Sequence, residues 1–127
     1  MSPAARLSPA DIETACRVAL FSGLTPASVA DLLGHATVRS YDRDSLLFSA
    51  DEPADRFFVV VAGAVKLSVV DADGNETIIE IIGAGNSFAE AAMFGPGRFP
   101  VNAEAMAGAR LITIDASSFL HKLEENR

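Results

Sequence analysis

The chain has 127 residues, 50% of them hydrophobic, with a formal net charge of −7 and a sequence pI near 4.6. That length supports one domain with a buried core, and that charge repels phosphate backbones, so nucleic-acid binding is a poor fit for these residues by themselves. A single cysteine, Cys16, excludes an intramolecular disulfide, a cysteine zinc site and an iron–sulfur cluster, and no apolar run approaches the roughly 18 residues of a membrane span, so a cytoplasmic, membrane-free protein is expected.

Ser8-Pro9-Ala10-Asp11 has the form of a capping box with proline at the first helical position. It predicts a helix to about Phe21, with Ile12, Cys16, Ala19 and Leu20 at helical spacing. Gly23 breaks it. Thr25-Pro26 repeats the start signal, with Val29, Leu32, Leu33 and Ala36 on one face of a second short helix. The texture then changes to short runs rich in Val, Ile and Phe at 57–61, 65–70, 77–82 and 111–114, with turn residues between them. This is the pattern of an all-β sandwich or barrel. The clearest turn is Asp71-Ala72-Asp73-Gly74-Asn75, where Gly74 can take the positive φ of a tight hairpin. Gly63 and the cluster Gly83-Ala84-Gly85-Asn86 mark further corners. Asp115 can cap a last helix with the apolar stripe Phe119, Leu120 and Leu123 and the polar end Glu124-Glu125-Asn126-Arg127. The expected layout is one domain: helices over 1–36, β structure over 37–114 and an exit helix over 115–127.

Several motifs recur in a telling order: Phe21-Ser22-Gly23-Leu24, Gly63-Ala64-Val65-Lys66, Asp73-Gly74, Gly85-Asn86 and Phe88-Ala89-Glu90. Jointly they resemble the sensor domain of the cyclic-AMP receptor protein/FNR (CRP/FNR) family of bacterial transcription regulators. The run from Phe88 through Glu90 and Met93 to Phe94 is most similar to the nitric-oxide-responsive Dnr branch. The resemblance implies a mainly β jelly roll (a double-stranded β-helix of the cyclic-nucleotide-binding type) with two N-terminal helices and an exit helix. It also implies a small-molecule effector, a homodimer, no enzymatic activity, and DNA binding through a C-terminal domain that these residues do not include.

Residues 87–101 hold the corresponding phosphate cassette. In relatives that bind cyclic nucleotides, backbone N–H groups and an arginine hold the phosphate while a glutamate takes the ribose hydroxyl. Glu90 occupies the glutamate position here, while Ala89 replaces a glycine, Pro100 falls at the arginine and Val101 at the following hydroxyl residue. Proline supplies neither charge nor N–H, so useful cyclic-nucleotide affinity is expected to be lost. The candidate pocket is Phe88, Ala89, Glu90, Arg98, Pro100 and Val101. Two bland readings stand beside it: Glu90 as a helix-start carboxylate and Arg98 as a solvated loop residue. In the alternative reading, Arg98 and Glu90 still make a cyclic-nucleotide site.

The Dnr likeness implies a haem that reports nitric oxide, and a haem requires an axial donor. His121, His35, Met93, Met106, Tyr41 and Cys16 are the candidates, His121 before His35; the methionines and Cys16 read as core fillers. A remote alternative is a cupin-like metal enzyme, which needs an H-x-H pair that the sequence does not contain. The expected mechanism is a population shift in which an effector changes how Phe119, Leu120 and Leu123 pack.

Overall fold

The computed structural model describes residues 2–125. A two-residue strand, β1 (Ala5–Arg6), precedes α1 (Pro9–Cys16). The capping box forms as expected: the Asp11 N–H donates to Ser8 Oγ at 3.2 Å and the Ser8 N–H donates to Asp11 Oδ2 at 2.8 Å. The helix does not reach Phe21, however. Val18 is extended (φ −72°, ψ 137°), and the chain resumes as a 3₁₀ turn over Ala19–Phe21. That break turns Val18 and Phe21 into the core and leaves Ala19 and Leu20 exposed, which corrects the expected apolar stripe. In α2 (Pro26–Leu32), Thr25 Oγ1 accepts the Ser28 N–H at 3.1 Å, and Val29, Leu32, Leu33 and Ala36 are all buried.

The β region follows: β2 (Thr37–Ser40), β3 (Leu46–Phe48), β4 (Arg56–Ala62), β5 (Ala64–Val70), β6 (Glu76–Gly83) and β7 (Ser87–Phe88). A short helix, α3 (Glu90–Phe94), then leads to β8 (Asn102–Ala105), β9 (Arg110–Asp115) and the exit helix α4 (Ala116–Glu125). The strands make two antiparallel sheets, ordered β1-β2-β9-β4-β7 and β3-β8-β5-β6. The expected jelly-roll class holds, as an open pair of sheets and not a closed barrel. The expected exit-helix residues Asn126 and Arg127 lie outside the described residues.

Strand β4 separates two cores because successive side chains point to opposite faces. Phe57 and Val59 join Phe21, Val29, Ile112, Ile114 and Phe119 under the helices. Phe58 and Val60 join Phe48, Val65, Phe88, Phe99 and Leu111 between the sheets. Each fully buried phenylalanine contributes about 1.5–3 kcal/mol by leaving water.

In the β5–β6 turn, Asp71 Oδ1 accepts the N–H groups of Asn75 and Asp73, both at 2.9 Å. Those bonds, led by the one from Asn75, hold the Asp71 carboxyl below its ordinary value, while Gly74 takes φ 85°. At the far end, Asp115 Oδ2 accepts the Ser118 N–H at 2.9 Å and starts α4. Phe119 anchors that helix, edge-on to Phe57 at 5.0 Å and to Phe21 at 6.1 Å. Leu120 and Leu123, expected to share its stripe, are each 37% exposed.

Candidate functional site

The candidate site lies where β7, α3 and the segment entering β8 meet. Phe88 pairs with Phe58 across β7 and β4 and therefore points between the sheets, stacked on it at 4.9 Å with an 11° interplanar angle. Ala89 then adopts a left-handed conformation (φ 74°), which reverses the chain into α3. After Gly95-Pro96-Gly97, alternation resumes: Phe99 is buried and stacked on Phe48 at 3.7 Å, while its neighbours Arg98 and Pro100 are exposed. Backbone bonds hold this segment against residues 51–52, since the Phe99 N–H donates to Glu52 O at 3.0 Å and Phe99 O accepts the Asp51 N–H at 2.8 Å.

Together these elements line a pocket of about 160 Å³ that opens to solvent past Ala91 and Pro100. The cassette contributes Phe88, Ala89, Pro100 and Val101, all from the expected set. Phe99, Ala91 and Ala92 join them, with Phe48 from β3 and Leu67 from β5. Every lining side chain is hydrocarbon. Phe48, Leu67 and Phe99 escape a reading of the motif alone because they lie outside it or between its marked positions. The buried–exposed alternation around Phe99 is the one signal that could have found it.

The two charged members of the expected set are placed elsewhere. Arg98 donates from Nη1 to the Asp51 carbonyl oxygen at 2.6 Å on the exposed surface and does not line the cavity. Pro100 lines the pocket while Arg98, two residues before it, does not, its guanidinium donating to backbone instead. Glu90 Oε1 accepts the Ser87 hydroxyl at 2.8 Å. Because Phe88 points between the sheets, Ser87 points to the other face of β7, and it holds the Glu90 carboxylate on that side. Glu90 Oε2 is buried and without a hydrogen-bond partner among the described residues.

Ala89 carries local strain. A left-handed alanine costs about 1–2 kcal/mol, against the roughly 0.5–1 kcal/mol of extra chain entropy that glycine loses on folding. Ala89→Gly is therefore expected to leave stability unchanged or raise it by up to about 1 kcal/mol, whereas Ala89→Val is expected to lower it by roughly 2 kcal/mol or more. Urea denaturation midpoints measure both.

The two histidines come together, but at another place. His35 and His121 line a surface cleft of about 290 Å³ with Ser117, Ser118 and Lys122. His121 is largely exposed, its Nε2 3.1 Å from Glu125 Oε1, and does not face the cassette cavity. Met93 and Cys16 pack at the edge of the helix-side core, Tyr41 at the edge of the inter-sheet core, and Met106 lines an outer cleft with Arg43 and Lys66. The cavity thus presents no ligating side chain to a haem iron, and its volume is below the roughly 300–1,000 Å³ of pockets for larger ligands. The histidine cleft supplies imidazoles but is walled by serine and lysine, without the apolar faces a porphyrin needs. Neither place fits a haem. Among the described residues, no three His, Cys, Asp or Glu side chains cluster to hold a metal ion. No described helix is long and apolar enough to cross a membrane.

The cyclic nucleotide-binding domain family matches residues 38–126. The chain belongs to that family. Over 103 residues the domain is 28% identical to the CRP-like cAMP-activated global transcriptional regulator of Mycobacterium tuberculosis, a match covering 81% of the chain and 46% of that relative. The chain thus spans less than half of the relative's length. Among solved structures, the sensor domain of the transcriptional regulator DNR from Pseudomonas aeruginosa superposes with a TM-score of 0.80 at 28% identity, over 90% of this chain and 77% of that one. A cyclic nucleotide-binding-like protein from Brucella abortus gives 0.76 at 26% identity, over 90% and 97%. The domain is therefore of the kind found in CRP-like regulators, among them the sensor domain of DNR.

Proposed function

We propose that this domain is the effector-sensing module of a CRP/FNR-type transcription regulator, and that its effector is an uncharged molecule and not a cyclic nucleotide. The hydrocarbon cavity carries this reading: Pro100 and Val101 line it where a phosphate clamp would stand, and Arg98 is outside it. An anion lodged there would lose hydration without gaining a charged side-chain partner, a penalty of several kcal/mol.

The same geometry suggests how occupancy reaches the exit helix. Ala89 packs against both cores, and within α3 the neighbours Ala92 and Met93 face the inter-sheet and helix-side cores respectively. A ligand that moves α3 therefore also moves the packing around Phe119. Only a ligand with different affinity for two such arrangements would signal. In this reading the half-exposed Leu120 and Leu123 meet a second copy in a homodimer. DNA contact belongs to a part of the regulator outside these residues, in the cytoplasm, and the domain performs no catalysis. Thermal denaturation tests the effector class: about 1 mM cyclic AMP or cyclic GMP is expected to leave the melting temperature unchanged, whereas a micromolar ligand at that concentration would add about 3–4 kcal/mol and shift it plainly.

A second reading, haem-based nitric oxide sensing, draws on the likeness to the Dnr sensor domain. Haemin titration separates the two. The expected spectrum shows no saturable Soret shift at one equivalent; a saturable shift lost in His121→Ala or His35→Ala would favour haem.

A further inference from the structure

We infer that the cassette cavity binds one compact, apolar, uncharged molecule of about benzene size, and that this is the chemical class of the effector. The inference rests on the functional reading above and narrows it. Size is the first ground. The pocket measures about 160 Å³, close to the roughly 150 Å³ of an engineered apolar cavity that takes up benzene or xenon, and it has an open mouth past Ala91 and Pro100 through which a ligand can enter.

Wall chemistry is the second ground. A bound water needs two to four polar partners, and the walls here are phenylalanine, leucine, valine, proline and alanine side chains. A ligand carrying hydroxyl or amide groups would leave them unpaired against hydrocarbon, which disfavours sugars, amino acids and nucleobases alike. The Glu90 carboxylate does not correct this, because Glu90 is not among the lining residues and its Oε1 accepts the Ser87 hydroxyl.

Shape is the third ground. Phe99 and Phe48 lie nearly parallel, 11° apart at 3.7 Å, and Phe88 stacks on Phe58 at the same angle, so the rings are locked face to face and Phe48, Phe88 and Phe99 give the pocket a rigid aromatic rim. A small aromatic guest meets such a rim edge-on, one of the geometries that aromatic pairs prefer. A guest seated here gains dispersion contacts with the lining that water makes less well.

The test titrates benzene, and separately cyclic AMP, into the 127-residue chain while following the melting temperature, and maps xenon under pressure by NMR. Benzene is expected to raise the melting temperature saturably with a dissociation constant of roughly 0.1–1 mM, and xenon to shift the methyl signals of Leu67 and Val101. Val101→Phe, which fills the cavity, is expected to abolish the benzene effect. Should that variant fail to fold, the xenon map of the unaltered chain decides. Absence of saturable benzene and xenon effects overturns the inference. So does a response confined to the other apolar groove, beside Leu7, Ile12 and Cys16. A response to cyclic AMP that displaces benzene would overturn the functional reading as well, whereas no response to either ligand overturns this inference alone.

Discussion

Phe119→Ala is expected to lower the folding free energy by about 3–5 kcal/mol, a large share of the roughly 5–15 kcal/mol that holds an ordinary domain together. Phe119 is 3% exposed and closes edge-on against Phe57 and Phe21, at interplanar angles of 78° and 68°. It is also the one large apolar side chain of α4 that is fully inside. A ten-residue helix is marginal in water by itself, so packing decides whether it forms. Truncation removes the ring's transfer energy, leaves a cavity between β4 and the 3₁₀ turn, and frees α4. Urea denaturation should show a lower midpoint at an unchanged slope, and amide exchange should quicken first in residues 116–125. If the midpoint barely moved, α4 would not be anchored through Phe119, and the route from cavity to exit helix would fail.

Gly63→Ala should cost about 2–5 kcal/mol, and the comparison with Gly74→Ala shows why. Both glycines have left-handed backbones, φ 70° and 85°, so alanine at either position carries about 1–2 kcal/mol of conformational strain. Nothing lies within 4 Å of a methyl group at Gly74. At Gly63 the same methyl would come 2.6 Å from the Ala109 nitrogen and the Gly108 carbonyl carbon, both backbone atoms that no rotamer change can move. The β4–β5 corner must then shift against the loop entering β9, adding the roughly 1–3 kcal/mol typical of overpacking. Paired denaturation curves measure the difference directly. Equal losses for the two variants would contradict the close approach at Gly63.

Much of this architecture is legible in the sequence because its signals are local. Ser8 with Asp11, and Thr25 with Ser28, start helices through bonds three residues long, and the long runs of β4, β5, β6 and β9 carry enough β-branched and aromatic residues to declare themselves. The end of α1 is harder to read. Helical spacing continues past Cys16, yet tertiary packing favours Val18 and Phe21 inside over Ala19 and Leu20. Strands of two to four residues, such as β1, β7 and β8, are too short to show alternation. They exist because neighbouring strands pair with them.

The candidate site divides in the same way. Replacement of a clamp by Pro100 and Val101 is visible in the letters, since proline lacks both charge and N–H wherever it lies. The partners that turn those positions into a cavity are not, because Phe48 and Leu67 arrive from β3 and β5, far away in the chain. Arg98 shows the limit from the other side. Its spacing from Pro100 allows it to share a face, but only the fold reveals the Asp51 carbonyl that engages it.

Isothermal calorimetry of the chain with cyclic AMP and cyclic GMP is the most direct measurement of whether the cassette has changed its ligand. A hydrocarbon cavity predicts heats of dilution alone, with no saturable binding tighter than about 1 mM. Micromolar binding that disappears in Arg98→Ala would contradict it, by showing that the guanidinium leaves Asp51 and restores the anion clamp.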